Sequence, residues 1–162
     1  VTDFVLRGQL KVRLWRERTN YDYGLPLCDV CGEPLWGGQC AMHESVVRRG
    51  VARGWPKEDR VKIFVPCNCH LVCHGTCHMQ AHASPDLMVA IQIVRYGMQH
   101  IREWIATLPF KVPFHWTRGL DEEGALELVR REAPWVGSAA EPIFCVAKLT
   151  PEGSFDTRNR RK

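Results

Sequence analysis

The spacing of apolar residues changes its period several times along the chain, and each change marks an element. "DFVLRGQLKVRLWRER" reads as a helix, although Leu10, Val12 and Leu14 also alternate as a strand would; a helix is expected. "TNYDYGLP" breaks the pattern with turn formers. In "CDVCGEPLWGGQCAMHESVV", Gly32, Pro34 and Gly37-Gly38 bracket a knuckle, a glycine turn and a strand. A basic loop, "RRGVARGWPKEDRVK", follows. "IFVPCNCHLVC" predicts a short extended segment, with Pro66 disfavouring a helix before it.

After Cys77 the period becomes helical. Ser84 is placed to cap and Pro85 to open a helix through "DLMVAIQIVRY", which Gly97 ends. "MQHIREWIATL" predicts a second helix stopped by Pro109. A third is expected from Asp121 to just before Pro134, burying Leu126 and Val129. The expected order is therefore α+β: an N-terminal helix, a small β lobe, then helices.

Composition narrows the class. A chain of 162 residues, 45% hydrophobic, can bury one ordinary core with a small metal-stapled lobe attached. No apolar run reaches bilayer length and the first residues lack a signal-peptide pattern, so a soluble, cytoplasmic protein is expected. Eight cysteines in a reducing compartment point to metal rather than disulfides. The formal charge of +4 says little, but its distribution says more. Cations gather at Arg7 to Arg18, at Arg48 to Lys62 and in the terminal "RNRRK", whose surroundings have almost nothing to bury and are expected to be disordered.

The cysteines carry the chemistry. Cys28 and Cys31 form a CxxC followed by a glycine that permits the tight turn, and Cys73 and Cys77 supply a second pair with one extra residue between them. Two such pairs across a hairpin predict one structural Zn²⁺. Cys40, Cys67, Cys69 and Cys145 are expected to be small buried hydrophobes, with Cys69 close enough to compete for metal. His70 and His74 are expected to be exposed, and His100 and His115 to be ordinary helix and loop histidines.

His43, Asn68, His78 and His82 remain. With "CDVCG", "MHE" and "NCHLVCHGTCH" in this order, residues 28 to 82 resemble the HNH endonuclease family, most closely those encoded by phages and prophages. The resemblance implies a ββα-metal core with a structural zinc, giving 1–27 as an N-terminal helical arm, 28–83 as the nuclease core, 84–150 as a helical extension and 151–162 as a basic tail. Two departures stand out. Met42 occupies a position where the family usually has an Asp or His ligand, and a thioether is a poor ligand for a hard cation. The extra residue before Cys77 could rotate His78 on its helix.

The resemblance implies hydrolysis of DNA phosphodiesters to 5′-phosphate and 3′-hydroxyl ends. His43 is expected as the base, because a neutral imidazole accepts a proton from water near pH 7; a shift of the motif by one residue would instead make Glu44 the base. A catalytic Mg²⁺, Mn²⁺ or similar ion is expected on His78, with His82 (one turn further on) or Glu44. Asn68 either binds that ion or pins the loop that aims His43. Arg48, Arg49, Arg53, Lys57 and Arg60 are expected to contact DNA phosphates. A non-catalytic zinc module binding DNA or protein is the alternative. A CxxC thiol redox protein fits less well, because the second cysteine pair and the missing βαβ pattern argue against it.

Overall fold

The computed structural model describes residues 2–19, 23–109 and 120–136. Cys145, His115, residues 137–150 and the tail at 151–162 with its "RNRRK" lie outside the described residues. Helix α1, Asp3–Glu17, starts where the Thr2 side chain accepts a hydrogen bond from Val5 N–H. It buries Leu10 and Leu14, one turn apart, and leaves Val12 about half exposed. The helical period therefore wins over the alternating one, because only a helix puts Leu10 and Leu14 on one face without Val12.

Strands β1, Cys40–Glu44, and β2, Cys69–Cys73, pair antiparallel with Cys40 opposite Cys73, His43 opposite His70 and Glu44 opposite Cys69. Helix α1 is tied to this hairpin by Lys11 Nζ donating to the Cys40 carbonyl and Arg7 to the Met42 carbonyl. The connection between the strands is the basic loop, and it is more ordered than expected. It contains two one-turn helices, α2 (Arg49–Ala52) and α3 (Lys57–Arg60), with Ala52 and Ile63 anchoring it in the core.

Helix α4, Thr76–Ala83, leads into α5, Pro85–Tyr96, then α6, Met98–Ala106, and α7, Glu122–Glu132. The stretch Leu87–Ile93 of α5 is buried on every face, so α5 is the central rod of the core. Pro85 opens it as expected, but the Ser84 side chain makes no capping bond; Ser84 is also the last residue of the α4 turn, and its backbone N–H goes to Gln80. Asp121 does cap α7, accepting from Gly124 N–H at 2.8 Å. Val129 is buried as expected, whereas Leu126 stays 37% exposed and Ala125 takes the inward place. A small side chain there lets α7 lie close against α5.

One contiguous core runs through all of this, from Leu10 and Leu14 across Leu71 and Val72 to Ile91 and Val129. Among the described residues no helix is long and apolar enough to cross a membrane.

Candidate functional site

Two clusters of candidate ligands share one short helix, α4. At its start, Cys28, Cys31, Cys73 and Cys77 bring their sulfurs within 4.8 Å of one another. Cys28 and Cys31 lie in a tight knuckle where Gly32 N–H bonds to the Cys28 carbonyl at 2.9 Å and Cys28 N–H to the Glu33 carbonyl at 2.8 Å. Gly32 has φ +75°, and a Cβ there would meet the Trp135 ring at 2.7 Å, so the position admits only glycine for two separate reasons. Cys73 ends β2, and Gly75, at φ +86°, turns the chain into α4 so that Cys77 comes back to the others. That turn absorbs the extra residue of the second pair.

The donor set fits a tetrahedral ion. Zinc–sulfur bonds of about 2.3 Å in a tetrahedron put the sulfurs ~3.8 Å apart, and those of Cys31 and Cys73 stand 3.8 Å apart. Proton affinities tell the same story. Burial pushes Cys28 up, and burial together with a hydrogen bond to Cys31 pushes Cys77 to about 12. Burial works against Cys31 too, but hydrogen bonds from the Glu33 backbone and its neighbouring thiols bring it below the ordinary thiol value. The neighbouring thiols thus perturb one another's ionisation, as sulfurs gathered closely enough to share one ion do. The cluster could hold a metal ion such as zinc.

The remaining thiols behave as expected where they are described. Cys40, Cys67 and Cys69 are buried, burial drives their pKa values upward, Cys40 to about 11 and Cys67 to about 12, and none joins the four-cysteine cluster.

On the next turns of α4, His78 and His82 face His43 of β1, and the three offer ring nitrogens within 4.8 Å of one another. Ring centroids are 4.6 Å apart for His43 and His82 and 5.0 Å for His78 and His82. His43 is buried and its Nε2 has no hydrogen-bond partner, His78 is half-buried and His82 exposed. Burial, then the nearby His70, His82, His78 and Arg48, lowers the His43 pKa to about 3, so its imidazole is neutral across the ordinary pH range. Met42, its neighbour in β1, is buried on the other face of the strand.

Asn68 and Glu44 have defined places. Asn68 is fully buried; its Nδ2 donates to the Val47 and Ile63 carbonyls at 3.0 and 2.9 Å, and its Oδ1 accepts from Val47 N–H at 2.8 Å. Both amide protons and the oxygen are spent on the two ends of the basic loop. Glu44 is held by Arg7 at 2.9 Å and is not among the three converging histidines. Arg48, Arg49, Arg53 and Lys57 are exposed on the loop, and Arg60 is half-buried.

His70 departs from expectation. It has no exposed surface, with Nδ1 2.8 Å from Asp29 Oδ2 and Nε2 3.0 Å from Ser45 Oγ. Asp29 also pairs with Arg18 at 3.2 Å and Arg95 at 2.8 Å. Burial would raise the Asp29 pKa, but the two guanidiniums and the His70 hydrogen bond outweigh it and hold the carboxyl ionised. An ionised Asp29 accepts from Nδ1–H, which leaves Nε2 of a neutral ring to accept from the Ser45 hydroxyl. The order serine, histidine, aspartate is that of an acyl-transfer triad. Here, however, all three residues are buried and the aspartate is shared with two arginines, which makes the chain a strut between knuckle, hairpin and α5. Only the odd acid inside the knuckle, Asp29, hinted at it in the sequence.

Compared with protein-family models, with curated proteins and with solved structures, the chain matches none.

Proposed function

We propose that the chain is a metal-dependent DNA endonuclease of the HNH type, phage- or prophage-encoded, with a structural zinc on Cys28, Cys31, Cys73 and Cys77. The convergence of His43, His78 and His82 on one point beside the cysteine cluster carries this reading. That is the grouping the motif order implies, and the histidine cluster lies open on one side through His82.

The roles follow from position. His78 and His82, one turn apart, would hold a divalent ion, their imidazoles suiting a softer one than Mg²⁺, and the ion would supply neutralisation of charge on the phosphate and the departing 3′ oxygen. His43, neutral and with its Nε2 unpartnered, takes the proton from water as the water oxygen bonds to phosphorus and the P–O3′ bond breaks, the departing 3′ oxygen taking a proton from solvent to become the hydroxyl. Asn68 acts by positioning, because its amide clasps the backbone on either side of the loop that follows His43. Glu44, neutralised by Arg7, is poorly placed to act as base. Arg48 stands close enough to His43 for its charge to be felt there, and an arriving phosphate would take up that charge.

The test is supercoiled plasmid incubated with the purified full chain and Mg²⁺, Mn²⁺ or no added ion. Nicked or linear product bearing 5′-phosphate ends, formed by wild type and not by His43→Ala, is expected. DNA binding without cleavage under every ion would replace the nuclease with a non-catalytic zinc module.

A further inference from the structure

The loop helices and the start of α1 enclose a small cavity of about 160 Å³. Arg49 and Arg53 line it from α2 and its end, Arg60 from α3, and Asp3 from α1, with Ile63 and Phe64 as an apolar wall. Three arginines and one aspartate line it, a formal excess of two positive charges. Arg60 is incompletely satisfied: its Nε is buried without a hydrogen-bond partner, and Asp3 Oδ2 stands 4.0 Å away, beyond hydrogen-bonding reach. A buried N–H in that condition is costly and is relieved by an acceptor entering the cavity.

We propose that this cavity seats a single backbone phosphate of the bound nucleic acid, as an anchor distinct from the phosphate that is cut. The space is ample for one tetrahedral anion, guanidinium forks match phosphate oxygens, and the apolar wall suits the adjoining sugar. Arg49 directly follows Arg48, whose charge is felt at His43, so one short stretch of the loop links the cavity to the histidine centre. Asp3 is the counter-charge that the phosphate displaces from Arg60. The inference rests on the nucleic-acid reading above.

Convergence on one phosphate gives a signature that scattered surface contacts do not. Binding of a labelled duplex of arbitrary sequence to the zinc-loaded full chain, without added Mg²⁺ or Mn²⁺, is measured against salt. Replacing Arg49, Arg53 and Arg60 together by Gln should lower the slope of log K against log salt by ~0.9, the value for one phosphate, where three independent contacts would remove ~2.7. Between 50 and 200 mM salt that is a difference of ~3.5-fold in affinity loss. Asp3→Asn should tighten binding, an effect that damaged folding does not produce, while Arg130→Gln on α7 should change nothing. In parallel, the Arg60 Nε–H resonance should shift on adding inorganic phosphate. An unchanged slope in the triple variant, or a fall near ~2.7, overturns the anchor and leaves nucleic-acid binding standing. Absence of duplex binding by wild type overturns both.

Discussion

The cysteine and histidine clusters share helix α4 and are built on opposite principles. The four sulfurs are gathered by a knuckle, a strand end and a glycine turn, from buried Cys28 to exposed Cys31, and two of them already stand at the separation that tetrahedral zinc requires. The three imidazoles run from buried to exposed, and the innermost has an unpartnered nitrogen. Four donors can complete a tetrahedron around an ion, whereas three leave a coordination position open. Because Cys77 and His78 are consecutive on α4, the first cluster fixes the rotation of the helix that carries the second.

The sharpest way to break this contrast is to remove one member of each. Cys28→Ser, or strong chelation, should cost on the order of 10 kcal/mol of metal-linked stability, comparable with the whole stability of a small domain. Far-UV circular dichroism and metal analysis should show zinc and lobe structure lost together, while His82→Ala melts within a few degrees of wild type. A Cys28→Ser protein that stays folded without metal would erase the distinction.

Activity should divide the other way. His78→Ala and His43→Ala should each lower plasmid cleavage by ~10²-fold or more with zinc content unchanged. Only His78→Ala should also weaken the catalytic ion, as read by Mn²⁺ titration. Loss of that ion in His43→Ala would make His43 a third ligand.

Asn68→Ala tests whether the loop clasp supports both clusters or one. It strands the buried Val47 N–H and the Val47 and Ile63 carbonyls, so a loss of ~3 kcal/mol in denaturant unfolding is expected, with slower cleavage and full zinc content.

The histidine side should also respond to pH in a definite direction. With the folded pKa of His43 at about 3 and an unfolded value of ~6.5, the unfolded chain binds the extra proton first. Its contribution to stability is therefore whole above pH 6.5 and is lost as pH falls toward 3. His43→Gln should flatten that part of the stability curve. For the same reason the acid limb of cleavage should lie below the ordinary histidine value from which a base near pH 7 was expected. The smallest effect is reserved for Glu44→Gln, which should change cleavage only a few-fold because Arg7 holds the carboxylate. Abolished activity with the ion still bound would return the base to Glu44.

What the sequence revealed and what it hid have physical reasons. The cysteine pairs, the helix at the start of the chain and the helix starts at Pro85 and Asp121 depend on local spacing, which a string of letters records. Leu126 was misplaced because two inward choices one residue apart on a helix differ only in what the neighbouring helix tolerates, and α5 favours Ala125. His70 looked exposed because its partners, Asp29 and Ser45, are 41 and 25 residues away. Glu44 looked available for the same reason: Arg7, 37 residues earlier, is invisible as its partner until α1 docks on the hairpin.

The Asn68 clasp has a consequence for how such a molecule can change over generations. By binding Val47 and Ile63 at once, it draws the neck of the loop shut, so that beyond the neck only a few side chains, Ala52 chief among them, are held by the body while the arginines around it stay exposed. Chain closure adds only ~0.6 kcal/mol for each doubling of a loop. Another pattern of exposed charge can be written around Ala52 while the imidazoles stay where they are. The molecule is in that sense a fixed tool with an exchangeable grip.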